Sequence, residues 1–271
     1  MRVHHLDCAT LCPPGGRLVS GGGSGSSPAK LVCHCLLLEL PDGLALVDTG
    51  LGLEDCATPA RRLGVTASLI RPVLDPAQTA VRQVEALGFH ARDVRHLLIT
   101  HLDLDHAGGL SDFPDATVHL LADEHAAAMA RRFRDRSRYR PAQWAHGPRW
   151  SLYRPEGEAW FGFDCVRALE GLPPEVLMVP LAGHSRGHSG VAVRGERGWL
   201  LHAGDAYYHR SELDPDRRRC PPLLRLFGHV TAEDAAARLE NLERIRQLAV
   251  ENAGEVQVFS AHDPVELDRF R

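Results

Sequence analysis

Thr100-His101-Leu102-Asp103-Leu104-Asp105-His106-Ala107-Gly108-Gly109 is the stretch that decides how this chain is read. Two histidines and two aspartates fall within six residues, directly after the apolar run His96-Leu97-Leu98-Ile99. Imidazole and carboxylate are the donors a hydrolytic divalent metal takes. A strand that ends in a tight turn aims such side chains at one point, and the paired glycines let the backbone fold close beside them. The stretch therefore predicts a metal site.

Working outward, other ligand-type residues stand in the same relation to an apolar run. Asp48 follows 44–47, His184 follows 179–183, Asp205 follows 200–204 and His262 follows 258–261. Strand ends in layered α/β proteins lie along one rim, so residues far apart in sequence can converge there. His101, Asp103, Asp105, His106, His184, Asp205 and His262 make a donor set larger than the three or so protein ligands of one catalytic zinc. Such a set suits two metals about 3.5–4 Å apart with one shared carboxylate. Taken singly, each residue reads as a packed histidine, a cap or a solvated turn. Their joint occurrence carries the prediction.

The elements around them fit a layered protein. Residues 31–40 and 44–50 read as two strands joined by the turn Pro41-Asp42-Gly43. A helix is expected over 76–87, with Asp75 as its cap and Gly88 as its stop. Strands are expected at 94–100, 116–121, 176–181, 191–194, 199–203 and 256–259, and helices at 123–132 and from 231 or 234 to 250. Strands come in two blocks, each followed by helices, which predicts packed sheets with helices outside. The Gly/Ser run at 20–27 reads as a loop. Residues 131–153 fit no clean period, are rich in arginine and hold Trp144 and Trp150; such a stretch reads as a lid or binding loop.

Composition removes several classes of function. The 271 residues are 44% hydrophobic and 24% charged, as in an ordinary globular protein. No apolar run approaches the ~20 residues of a membrane span, and residues 1–7 show no signal-peptide core, so the expectation is a cytoplasmic protein with no membrane partner. A net charge of −4 argues against a general nucleic-acid binder. Lys30 is the only lysine, a bias given no functional weight. The seven cysteines (Cys8, Cys12, Cys33, Cys35, Cys56, Cys165 and Cys220) include no CxxC pair. They are expected to be free thiols, with Cys33 and Cys35 as small buried residues on one strand face.

The ordered motifs LVDTG (46–50), HxDxDHAGG (101–109), GHSxGH (183–188), AGD (203–205) and AHD (261–263) resemble the metallo-β-lactamase superfamily of hydrolases over roughly 31–263. The nearest likeness is to its N-acyl homoserine lactone lactonases. The resemblance implies a four-layer αβ/βα sandwich (an α/β, α+β fold) forming a single domain over 1–271, with a lid or insertion at 131–160. It also implies two divalent metal ions, zinc foremost. His101, Asp103 and His184 would hold the first and Asp105, His106 and His262 the second, with Asp205 bridging. Asp48 would orient a ligand imidazole from behind, and His188 would be structural or a second support. One departure stands out. The family pattern is HxHxDH, and here the second histidine is Asp103, which implies readier acceptance of Mn²⁺ or Fe²⁺.

The implied chemistry is attack of a metal-activated hydroxide on a lactone or carboxylic ester carbonyl. Asp105 or a metal-bound water would protonate the leaving alkoxide. Tyr208, three residues after the bridging aspartate, would donate to the oxyanion, with Tyr207 as the alternative. The expected partner is a small-molecule lactone, ester or thioester, and the expected state is monomer or homodimer. A glyoxalase-II-like thioesterase remains open, with Arg217-Arg218-Arg219 or the 131–140 stretch as its anion-binding candidates. So does a metal-containing ligand-binding or regulatory protein without turnover. A nuclease and a flavin-linked di-iron protein are less well supported, lacking a basic surface and a flavodoxin-like domain respectively.

Overall fold

Strands β1 (Arg2–Leu11), β2 (Leu31–Leu40) and β3 (Gly43–Val47) form an antiparallel meander, with Leu36 opposite Val47 and Leu6 opposite Cys35. The β2–β3 hairpin is the expected one. Strand β1 was not expected, because His4, His5 and Asp7 interrupt its apolar pattern. They are accommodated by partners on the neighbouring strand: His4 Nε2 lies 2.6 Å from Glu39 and His5 Nδ1 lies 2.8 Å from His34 Nε2. The computed structural model describes residues 1–23, 27–136 and 138–271; the side chains of Arg134 and Cys165 lie outside it. The expected loop at 20–27 is thus described only at its ends.

Strands β4 (Pro72–Val73), β5 (Val94–Leu98), β6 (Thr117–Leu121) and β7 (Arg149–Tyr153) complete the first sheet, in the order β4-β1-β2-β3-β5-β6-β7. The second sheet holds β8 (Glu158–Trp160), β9 (Phe163–Ala168), β10 (Val176–Pro180), β11 (Ser189–Gly195), β12 (Gly198–His202) and β13 (Val256–Phe259), in the order β13-β12-β11-β10-β9-β8. Strand β7 lies in the stretch expected to be irregular. It is an edge strand, pairing in parallel with β6 alone, so its exposed Arg149 and Leu152 obscure any alternation.

Three apolar layers hold the sandwich. Leu36, Leu38, Val47 and Leu98 of the first sheet meet Met178, Val191, Val193 and Phe259 of the second. Leu37, Leu46 and Leu97 point the other way, onto Val81 and Val84 of the helix Ala80–Ala86. On the far side Val179, Ala192 and Leu201 bury Leu242, Ile245 and Leu248 of the helix Ala235–Glu251. The layers are therefore helix, sheet, sheet, helix, the αβ/βα arrangement. That last helix starts where the Asp234 carboxylate accepts from the N–H groups of Ala236 and Ala237. The helix expected over 76–87 is instead a single turn (Pro76–Gln78) and a shorter helix, because Thr79 is extended between them at ψ 148°. A helix at Pro222–Thr231, not expected from sequence, runs beside the site. Among the described residues no helix is long and apolar enough to cross a membrane. Cys8, Cys12, Cys33, Cys35, Cys56 and Cys220 are free thiols.

Strands β3 and β5 run parallel; so do β12 and β13, and β10 shares their direction through two antiparallel steps. Each group therefore sends its C-terminal ends to one rim, where the turns after β3, β5, β10, β12 and β13 gather.

Candidate metal centre

Asp48 takes the first position after β3 with φ 54°, a left-handed conformation that L-residues with a Cβ rarely adopt. Its carboxylate accepts from Thr100 N–H, Thr100 Oγ1 and His106 Nδ1, each at 2.8 Å. These bonds hold the strained backbone and fix the imidazole that follows.

Four histidines are built on one plan. His106 Nδ1 is held by Asp48 at 2.8 Å, His101 Nδ1 by Thr100 Oγ1 at 3.0 Å, His184 Nδ1 by the Tyr208 hydroxyl at 3.0 Å and His262 Nδ1 by the Val32 carbonyl at 2.8 Å. In each case Nε2 is left to face inward. Anchoring one ring nitrogen fixes the tautomer and aims the other, as in metal-ligating histidines.

The four Nε2 atoms converge on Asp205. Its Oδ2 lies 3.6 Å from His184 Nε2 and 3.9 Å from His101 Nε2. Its Oδ1 lies 3.0 Å from His262 Nε2 and 3.3 Å from His106 Nε2. One carboxylate thus presents a separate oxygen to each pair of imidazoles. Asp105 Oδ2 stands 3.7 Å from His262 Nε2. Asp103 Oδ2 lies 3.0 Å from His184 Nε2 and 3.5 Å from His101 Nε2, and Arg138 Nη1 reaches the same oxygen at 3.2 Å.

His188 is placed differently. Its Nδ1 donates to the Leu181 carbonyl at 3.0 Å and its Nε2 accepts the Asp205 N–H at 2.9 Å, so both ring nitrogens are occupied. It seats the backbone of Asp205. Gly204 precedes that residue at φ 54°, and a Cβ there would stand 2.6 Å from His188 Nε2. Gly183, before His184, has φ 135° and would bring a Cβ within 2.3 Å of Arg238 N.

The fit to cations can be read from the donor atoms. His101 Nε2, His106 Nε2, Asp103 Oδ1 and Asp205 Oδ1 are buried without a hydrogen-bond partner. Leaving such atoms unpaired is costly unless something positive sits among them. Burial alone would raise the Asp205 carboxyl, but His262 and His106 outweigh it and hold it well below the usual range. Burial works against a charged His262, yet Asp205 pushes that ring up to about 9. Divalent ions would supply the positive charge that these carboxylates demand. The mutually close donor sets are His101/His184/Asp205 and His106/Asp205/His262, with a third in Cys33/Asp105/His262.

Sequence reasoning missed three participants. Glu124, on the helix Ala122–Ala130, is 0% exposed, and its carboxylate accepts from Leu102 N–H (3.0 Å), Tyr139 Oη (3.1 Å), Ser185 Oγ (2.6 Å) and Gly187 N–H (3.1 Å). It ties the two ligand loops and the 131–148 stretch together. Arg138 is one of several arginines in that stretch, and nothing in the sequence separates it from the others. Cys33 is buried, as expected, but beside Asp105 and His262 rather than in apolar packing alone.

A family model described as the metallo-β-lactamase superfamily matches residues 29–253. The chain belongs to the metallo-β-lactamase superfamily. Within this superfamily of hydrolases, it is 41% identical over 265 residues to a probable metallo-hydrolase of Mycobacterium tuberculosis, covering 97% of this chain and 81% of the relative. An N-acyl homoserine lactonase of Azorhizobium caulinodans is 27% identical over 230 residues, 84% of this chain and 80% of that one. Among solved structures, an N-acyl homoserine lactone hydrolase with its product N-hexanoyl-L-homoserine at the catalytic metal centre superposes with a TM-score of 0.74, at 20% identity over 99% of this chain and 96% of that chain. A dizinc quorum-quenching lactonase gives 0.65 at 16% identity, over 97% and 87%. These superpositions match the four-layer sandwich.

Proposed function

We propose that this chain is a dinuclear metal-dependent hydrolase that opens a lactone or carboxylic ester. The observation that carries the reading is the division of Asp205, one oxygen toward His101 and His184 and the other toward His106 and His262. A structural metal closes its shell with about four ligands; a carboxylate shared between two sets of imidazoles suits a pair of catalytic ions. His101, His184 and Asp103 would hold one ion, His106, His262 and Asp105 the other, and Asp205 both. Zinc suits the nitrogen-rich set, and Asp103 would also admit Mn²⁺ or Fe²⁺ at the first position. When bound, such ions supply Lewis acidity, lowering the pKa of water and polarising a carbonyl.

The chain's own residues do the rest. With His184 Nε2 turned inward, its Nδ1–H donates to the Tyr208 oxygen, so the phenolic proton would turn from Thr231 to the oxyanion of a carbonyl under attack. Asp105 is assigned the proton that must reach the leaving alkoxide; its side chain is 16% exposed, against 6% for Asp205. The lid or insertion expected at 131–160 would begin with the residues before β7, where Arg138 reaches Asp103 and Tyr139 reaches Glu124. A cavity of about 330 Å³ opens beside Tyr208, lined also by Lys30, Arg210 and Val265. None of the seven ligand candidates lines it, so the substrate class rests on the lactonase relatives.

The test is a substrate panel of lactones, aryl esters, thioesters, phosphoesters and a β-lactam, run with zinc-, manganese- and iron-reconstituted protein. Metal-dependent opening of lactones or esters is the expected result. Hydrolysis of phosphoesters alone would overturn the reading. Metal-dependent ligand binding without turnover would point to a sensor.

A further inference from the structure

Cys33 sits on β2 beside Val32, whose carbonyl anchors His262 Nδ1 at 2.8 Å. The strand therefore delivers both the support of that imidazole and a sulfur next to it. The Cys33 sulfur, an Asp105 carboxylate oxygen and a His262 ring nitrogen lie within 4.8 Å of one another. Two metal–ligand bonds of about 2.0–2.3 Å at a tetrahedral ion place their donors about 3.3–3.8 Å apart, inside that limit. Because Nδ1 is committed to Val32, Nε2 is the nitrogen available to an ion.

The second trio, His106, Asp205 and His262, shares this imidazole. The two trios meet at the His262 imidazole, although the four other donors are not all within 4.8 Å of one another. His106 Nε2 and Asp205 Oδ1 face it, both buried without a hydrogen-bond partner. Cys33 itself is 2% exposed, with a ligand-type cluster on one side and the apolar Leu51, Leu63 and Leu104 grouped with it on the other. A buried cysteine is ordinarily a small apolar filler; here its sulfur lies within 4.8 Å of a carboxylate oxygen and an imidazole nitrogen of the ligand candidates.

We propose that Cys33 is a sulfur donor to the second metal subsite, bound as thiolate, and that it makes this subsite prefer thiophilic ions such as zinc, cobalt(II) or cadmium. The inference rests on the dinuclear reading above. An ion deprotonates a coordinating thiol outright, and the proton leaves to solvent as the metal binds. The first subsite has no sulfur and carries Asp103, so the two subsites differ in softness.

Cobalt(II)-loaded protein separates this proposal from the reading it rests on. Visible d–d bands report cobalt among the histidines and carboxylates; a near-ultraviolet sulfur-to-cobalt charge-transfer band reports the thiolate. The wild type is expected to show both, and Cys33→Ser to keep the visible bands and lose the charge-transfer band. Visible bands without a charge-transfer band in the wild type would overturn the role of Cys33 and leave the dinuclear centre standing. A charge-transfer band that survives in Cys33→Ser would assign the sulfur elsewhere and equally overturn it. Failure to bind cobalt at all would sink both. Should Cys33→Ser not fold, X-ray absorption of the zinc-loaded wild type decides alone: a sulfur scatterer at about 2.3 Å is expected, and a shell of nitrogen and oxygen only would contradict the proposal.

Discussion

The guanidinium of Arg138 lies 3.2 Å from the carboxylate of Asp103. Asp103 occupies the position at which the family pattern has a neutral imidazole, so it adds a negative charge to a cluster already holding Asp48, Asp105 and Asp205. Burial would raise its carboxyl; Arg138 leads the groups that hold it well below the usual range. The cation comes from the 131–148 stretch, which gives that segment an electrostatic function at the centre. Arg138→Ala is expected to destabilise the metal-stripped protein by about 1–3 kcal/mol, because Asp103 loses its guanidinium partner but keeps His184 and His101. With metal bound the loss should be smaller, because cations replace the missing charge. Thermal melts with and without chelator check this, and equal losses in the two states would count against it.

Glu124 is the second expectation. Glu124→Ala strands four buried donors at once, and a loss of about 3–5 kcal/mol follows from their desolvation. Glu124→Gln keeps the shape but turns an amide toward some of those donors, for about 1–3 kcal/mol. Because Leu102 and Ser185 flank ligand residues, metal affinity should also fall about 10–100-fold in both variants. Denaturant unfolding and competition with a chromophoric chelator measure the two effects separately.

How much of this was legible in sequence follows from what each residue depends on. The ligand-type residues were legible because each stands directly after an apolar run, and β-strand ends are readable from such runs. The hairpin was legible from Pro41-Asp42-Gly43. Glu124 was not, since an acid in the first turn of an alanine-rich helix reads as a solvated residue favoured by the helix dipole. Arg138 was hidden among neighbouring arginines, and the Val32 carbonyl that anchors His262 is backbone, invisible to any residue pattern. Strands β1 and β7 are defined by what they pair with. His4 and His5 gave β1 no apolar alternation, although His34 and Glu39 on β2 wait for them.

Tyr208 and Asp48 divide support from chemistry. Tyr208→Phe is expected to lower kcat by about 10–100-fold through the lost donor, with a smaller change in metal affinity. Asp48→Asn removes the acceptor behind His106 and is expected to weaken metal binding by about 10–100-fold. Steady-state kinetics at saturating metal, set beside metal titrations, distinguishes the two; full activity in Tyr208→Phe would exclude its assigned role.

Stability should depend on pH through Glu266. Burial raises its carboxyl from 4.5 to about 7, against hydrogen bonds from Ser260 N–H and the Tyr207 hydroxyl. A raised folded-state pKa gives stability that is complete below pH 4.5 and is lost as pH rises through about 7. Its span is about 3 kcal/mol at 1.36 kcal/mol per pH unit. His5 and His119, lowered by burial to about 4, act in the opposite direction as pH falls below 6.5. The difference between wild type and Glu266→Gln cancels them, so the variant should gain on the wild type from pH 4.5 to 7.5. A pH-independent difference would contradict the assignment.

The measurement that bears most directly on the centre is the metal content of protein purified without added metal, taken together with Asp205→Ala. Two equivalents of divalent metal per chain in the wild type, with loss of at least one in the variant, is the expected result, since Asp205 offers one oxygen to each pair of histidines. One equivalent or less in the wild type, or an unchanged content in Asp205→Ala, would contradict the account.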